Sequence, residues 1–154
     1  MRLITGSREK AETFKTEGEF WAAICLRDPG TPKPRLLPDL TRVGRHDLEC
    51  SDWRFDHELI AVATAGIDPC PFTAEMAKGI WEFLTVMTPH IETLLITCEA
   101  GVSRSPGVAA AIARTQGDFV REMQFWERTV PNPLVYRVML ETRTQWSSAS
   151  PQGG

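Results

Sequence analysis

Apolar and polar positions alternate between strand-like and helix-like patterning along the chain. Phe20 to Leu26 (FWAAICL) is a short, nearly continuous apolar run, and Ile91 to Thr97 is a second. Both predict buried strands. Arg2 to Thr5 predicts a short first strand, and Arg45 to Asp52 another, with Leu48 and Cys50 on one face. Ser7 to about Thr16 predicts a polar helix. After Pro71, Phe72 and Thr73, the residues Met76, Ile80, Phe83, Leu84 and Met87 recur at helical spacing. They predict an amphipathic helix to about Thr88, closed by Pro89. An Ala-rich helix ending near Gly117 is expected after Thr97, and another over Asp118 to about Arg128. Asn132-Pro133 supplies a cap and first-turn residue for a last helix to about Trp146. Asp28 to Arg45, rich in Pro and Gly, predicts a long surface loop. Trp53 to Pro71 has no dominant period. Ser147 to Gly154 has nothing to bury and predicts a disordered tail.

Strands and helices therefore alternate. The expected fold class is α/β, a central, mainly parallel sheet flanked by helices, in a single domain over residues 1–146. The length of 154 residues allows one substantial core. A net charge of −3 gives no bulk attraction to nucleic acid or anionic lipid. Apolar stretches such as Val108 to Ala113 are too short to span a bilayer. No signal pattern opens the chain, so a cytoplasmic protein with free thiols is expected. Cys25, Cys50, Cys70 and Cys98 stand alone, without a C-x-x-C pair or nearby His ladder. Neither a metal site nor another cofactor is expected.

In open parallel sheets, ligands bind at the carboxyl ends of the strands, which singles out the stretch after Thr97. It reads Cys98-Glu99-Ala100-Gly101-Val102-Ser103-Arg104-Ser105-Pro106. With four Cys and thirteen Arg in the chain, Cys-x5-Arg alone would arise by chance with a frequency of roughly 0.3. Requiring Gly at the fourth position and Ser or Thr after the Arg lowers that to roughly 0.003. Each residue type has a chemical reason to be there. A thiolate is the nucleophilic form of Cys, and a helix N-terminus favours it. The unpaired N–H groups from Glu99, Ala100, Gly101, Val102, Ser103 and Arg104 suit a phosphate dianion. Gly101 permits a tight return of the chain. Arg104 offers a planar fork to two phosphate oxygens. Ser105 can donate to the sulfur and help it depart, and Pro106 falls in the first helical turn.

The segment ITCEAGVSRSPGVAAAIA resembles the signature of the dual-specificity branch of the protein tyrosine phosphatase superfamily. AICLRDPG, FTAEMAKGIWEFL and VPNPLVYRVML resemble segments of small phosphatase-like proteins of bacteria and phages. The resemblance implies a cysteine-phosphatase fold with Cys98 as nucleophile, Arg104 as phosphate clamp and Ser105 as the adjacent hydroxyl. It also implies phosphotyrosine or phosphoserine/threonine on a protein or peptide as substrate. Family members usually carry His before the Cys, where this chain has Thr97. A general acid is expected to protonate the leaving oxygen. Asp52, closing the ECSD strand, is preferred, because a strand end is a firm platform. Asp68, thirty residues before Cys98, is the second candidate. The alternatives are a phospho-binding module without turnover, a phosphatase of phosphoinositide or RNA 5′-phosphate, and a sulfurtransferase or arsenate reductase. The basic cluster Lys33, Arg35, Arg42 and Arg45 is expected to be a solvated loop face or to orient an anionic substrate.

Overall fold

A computed structural model describes residues 1–149. The strands β1 (Arg2–Gly6), β2 (Trp21–Arg27), β3 (Arg42–Glu49) and β4 (Thr93–Thr97) form one sheet in the order β1-β4-β2-β3. Every pairing is parallel, with Ile4 opposite Leu95, Ile24 opposite Ile96 and Leu26 opposite Leu48. Parallel neighbours need long crossovers, which cover both sheet faces and explain why the central strands read as unbroken apolar runs. Trp21 to Leu26 and Thr93 to Thr97 are all buried.

Among the described residues the α-helices are α1 (Arg8–Thr13), α2 (Asp56–Thr64), α3 (Ala74–Met87), α4 (Arg104–Thr115), α5 (Phe119–Arg128) and α6 (Pro133–Ala149). On one sheet face Ala22, Ile24, Leu26, Leu94 and Ile96 pack with Ile80 and Leu84 of α3, Val108 and Ile112 of α4, and Val135 and Met139 of α6. On the other face Trp21, Ala23, Cys25 and Leu95 meet Ala11 of α1, Phe14 and Leu36. Each large aliphatic side chain buried here contributes about 1.5–3 kcal/mol relative to an exposed one. Helix α4 is buried from Arg104 to Ala113. Its small residues allow sheet and helices to close in on it from several sides. Among the described residues no helix is long and apolar enough to cross a membrane.

Two expectations need correction, and one unassigned stretch is resolved. The loop after Asp28 ends sooner than Arg45, because β3 begins at Arg42 and ends at Glu49 rather than Asp52. The stretch Trp53 to Pro71 contains α2, started by Glu58, whose Oε1 accepts from the N–H groups of Arg54 (2.8 Å) and Phe55 (2.9 Å). The last helix continues past Trp146 to Ala149, so the expected tail begins inside it; the remainder, 150–154, lies outside the described residues.

Candidate active site

The loop from Cys98 to Ser103 joins the end of β4 to the start of α4. Three of its carbonyls are tied to other segments. Glu99 O accepts from Arg8 N (3.2 Å), Val102 O from Val130 N (3.0 Å) and Ser103 O from Asn132 N (2.9 Å). Cys98 N donates to Gly6 O at 3.2 Å. Gly101 has φ +79°, and a Cβ there would stand 2.5 Å from the carbonyl carbon of Gly6 and 2.6 Å from Ser7 N. Only glycine fits against that turn. The N–H groups of Glu99 to Ser103 make no hydrogen bond to another described residue. Unpaired donors beside the first turn of a helix are groups of the kind that suit an anion.

Cys98 and Arg104 are 3% and 5% exposed. The Cys98 Sγ lies 3.2 Å from Ser105 Oγ. Arg104 donates through Nη1 to the carbonyl of Cys50 and pairs through Nη2 with Asp28 Oδ1 at 2.8 Å. Its Nε is buried without a hydrogen-bond partner. Burial opposes the charge on Arg104. The bond to Asp28 and the nearby Cys98 and Asp28 charges more than offset this, so its pKa is raised and it stays a cation.

Asp52 follows β3 and reaches the loop. Its Oδ1 accepts from Ser103 Oγ (2.8 Å) and Asn132 Nδ2 (2.8 Å) and stands 4.0 Å from Arg104 Nε. The side chain is 41% exposed. Asp68 sits elsewhere, on the exposed turn after α2, where its Oδ1 accepts from Cys70 N at 3.0 Å. That is the local turn role common for aspartate, at a backbone whose Cys70 has φ +44°.

No family model and no curated protein matches the chain. Solved structures do. Human DUSP28 superimposes with a TM-score of 0.57 at 15% identity, over 96% of this chain and 95% of that one. The human tyrosine phosphatase-like serine/threonine/tyrosine-interacting protein gives 0.53 at 17% identity, over 94% and 93%. Tk-PTP in its active form gives 0.51 at 14% identity, over 97% and 94%.

The fold is that of the dual-specificity-type tyrosine phosphatases.

Within this phosphatase fold three thiols lie outside the loop, at Cys25, Cys50 and Cys70. Burial pushes Cys50 up to about 12 and also raises Cys25 and Cys70. Those three stay protonated at neutral pH. Thr97, where the resembling family has His, is buried in register with Cys25. Of the basic cluster, Arg45 is paired with Asp47 and Arg42 donates to Leu37 O. Lys33 and Arg35 are exposed.

Asn132 and Arg54, absent from the sequence-based candidates, also gather here, and the Glu99 side chain has a role of its own. Asn132 is fully buried. Its Nδ2 donates to Asp52 and to Trp53 O (2.9 Å), while its Oδ1 caps α6 through Leu134 N (2.9 Å) and Val135 N (3.1 Å). Arg54 Nη1 donates to Ser103 Oγ at 3.1 Å. The Glu99 carboxylate holds Asp28 N (3.2 Å), Thr31 Oγ1 (3.4 Å) and Arg8 Nη1 (3.4 Å). The Asn132-Pro133 cap signal was visible in the sequence; its second bond, to Asp52, depends on the tertiary fold.

Proposed function

We propose that this chain is a cysteine-dependent phosphatase acting on a phosphorylated protein or peptide through a phosphocysteine intermediate. The observation that carries the reading is the gathering of Cys98 Sγ, Ser105 Oγ and Arg104, whose Nε makes no hydrogen bond, at a loop of free N–H groups. A phosphate dianion held by those amides would present phosphorus to the sulfur.

In the first step the Cys98 thiolate attacks phosphorus, the S–P bond forms and the P–O bond to the leaving group breaks. Asp52, protonated, gives its proton to the departing oxygen. The Arg104 fork follows the equatorial oxygens as charge spreads over them. In the second step water attacks phosphorus, the Asp52 carboxylate takes the water proton, and the S–P bond breaks. Ser105 Oγ, 3.2 Å from the sulfur, donates to the thiolate as it leaves. Both bonds to Asp52 fall on Oδ1, which leaves Oδ2 to carry the proton. No metal enters either step.

The test is turnover of an aryl phosphate and a phosphopeptide panel with and without chelator, alongside Cys98→Ser. The variant is expected to lose turnover and keep phosphate binding, because the amide cradle survives. Turnover retained in Cys98→Ser would remove the nucleophile. Phosphate binding without turnover in the unaltered protein would mark a phospho-binding module instead.

A further inference from the structure

Among the described residues strand β1 pairs with β4 alone, so its other side is an open sheet edge. The ladder to β4 takes the N–H of Arg2, which donates to Glu92 O at 2.8 Å, and the carbonyl of Gly6, which accepts from Cys98 N at 3.2 Å. Backbone groups of successive strand residues turn to alternate sides, so Arg2, Ile4 and Gly6 serve β4 while Leu3 and Thr5 face outward. Of the four outward groups the Leu3 carbonyl is engaged, by Nη2 of Arg121 on α5. The N–H of Leu3 and both backbone groups of Thr5 have no partner among the described residues. An open row of this kind is a template for another extended chain.

Helix α5 stands across from that edge and leaves a groove of about 290 Å³ between them. Arg121, Gln124 and Arg128, at i, i+3 and i+7, share the helix face that lines it, with Leu3, Ile4 and Thr5 opposite. No Asp or Glu lines the groove. Arg128 is exposed and makes no ion pair with a described residue, and the Arg121 side chain bonds a neutral carbonyl. Two uncompensated cations therefore border a row of free backbone groups, in a chain whose net charge is −3.

We propose that this groove docks an extended acidic segment of a partner protein, which adds to the sheet beside β1. Backbone bonds to Leu3 N–H, Thr5 N–H and Thr5 C=O set its position. Side chains of an added strand alternate between the two sheet faces, so carboxylates at every second position meet Arg121 and Arg128. Those two arginines start about 10 Å apart along the helix axis. Carboxylates two to four residues apart in an extended segment match that span. Nothing in this assignment requires turnover at Cys98.

The probe is a fluorescein-labelled peptide of alternating Val and Glu, with alternating Val and Lys as the control, followed by anisotropy on the full chain. The Glu peptide is expected to bind, more weakly as salt rises, and the Lys peptide is not. Arg128→Glu should weaken the Glu peptide about fivefold to tenfold, since reversal replaces an exposed attraction by a repulsion. Thr5→Pro removes an N–H that the β1–β4 ladder does not use and sets a ring on the open edge. It should weaken the peptide by about tenfold or more. Arg104→Lys, and saturating inorganic phosphate at matched ionic strength, should leave the affinity unchanged, because the loop after β4 is a separate site. No binding of the Glu peptide, or equal binding of the Lys peptide, would overturn the proposal and leave the two arginines as guards of a bare edge. Unchanged affinity in either groove variant, or displacement by phosphate, would put the peptide elsewhere and overturn it as well.

Discussion

The two carboxylate oxygens of Asp52 have different surroundings. Oδ1 accepts from Ser103 Oγ and Asn132 Nδ2; the side chain otherwise faces outward. An Asn at this position keeps an oxygen for those donors and removes only the proton, so Asp52→Asn isolates acid catalysis from loop geometry. Phosphotyrosine leaves as a phenol with a pKa of about 10 and needs that proton, whereas an electron-poor aryl phosphate does not. Asp52→Asn should lower kcat on phosphotyrosine by about 10²-fold or more, barely change it on the electron-poor ester, and flatten the basic limb of the pH–rate profile. Asp68→Asn should resemble the unaltered protein on both, since Asp68 serves the turn at Cys70. A steep leaving-group dependence in Asp68→Asn instead would move the acid there. The sequence leaves this pair open for a physical reason. Both aspartates follow β3 within one long connection, and the insertion of α2 between them separates chain distance from spatial distance. The strand-to-helix loop carrying Cys98, Arg104 and Ser105 was legible because it is contiguous in the chain. The contacts of Asp28 with Arg104 and of Asn132 with Asp52 were not, since each spans seventy or more residues.

At the scale of elements, the central strands and the long amphipathic α3 announced themselves, and the bounds of the edge strand did not. Among the described residues strand β3 pairs only with β2, and its residues are half-buried or exposed. Its first residues, from Arg42, read as loop because an edge strand tolerates polar side chains. Helix α2 buries no residue at all, so no apolar stripe marks it. The connection from β2 to β3 has its own clasp, also silent in the periodicity. Asp39 Oδ1 accepts from Thr41 N (2.8 Å) and Thr41 Oγ1 (2.5 Å), and Oδ2 accepts from Trp21 Nε1 at 2.9 Å. The Thr41 side chain, then its backbone N–H, then Trp21 favour the ionised form and hold Asp39 down at about 2, from an ordinary 3.8. A depressed folded-state value stabilises the fold above the ordinary pKa, and the stabilisation is lost as pH falls through the folded one. Asp39→Asn should therefore lower the urea midpoint at pH 7. The gap from the unaltered protein should narrow from about pH 4 to about pH 2. A gap that stays constant to pH 2 would assign the effect to shape rather than to the carboxylate charge.

For the whole molecule, the topology explains why the site stands where it does. Successive parallel strands deliver their carboxyl ends to one edge of the sheet. The turn after β1 braces Gly101, the exit of β2 supplies Asp28, the exit of β3 supplies Asp52, and the exit of β4 supplies the cradle. The N-terminus of α6 closes the ring through Asn132. Segments so distant in the chain are held together only when the sheet and both its covering layers are folded, so an anion bound there should report on global stability. A ligand that binds the folded chain alone stabilises it by about 2.7 kcal/mol at a hundredfold its Kd. For a chain of this size that corresponds to a rise in Tm of about 5–11 °C. Phosphate titrated into the protein at neutral pH should raise Tm progressively toward that range. Arg104→Lys should lose most of the rise at the same phosphate concentration, because an ammonium cannot reproduce the two-pronged contact. Cys98→Ser should keep the rise, since the sulfur is not needed to hold the dianion in the amide cradle. A melting temperature that does not move with phosphate in the unaltered protein would mean that the free N–H groups of Glu99 to Ser103 do not hold a dianion, and the function built on them would fall with it.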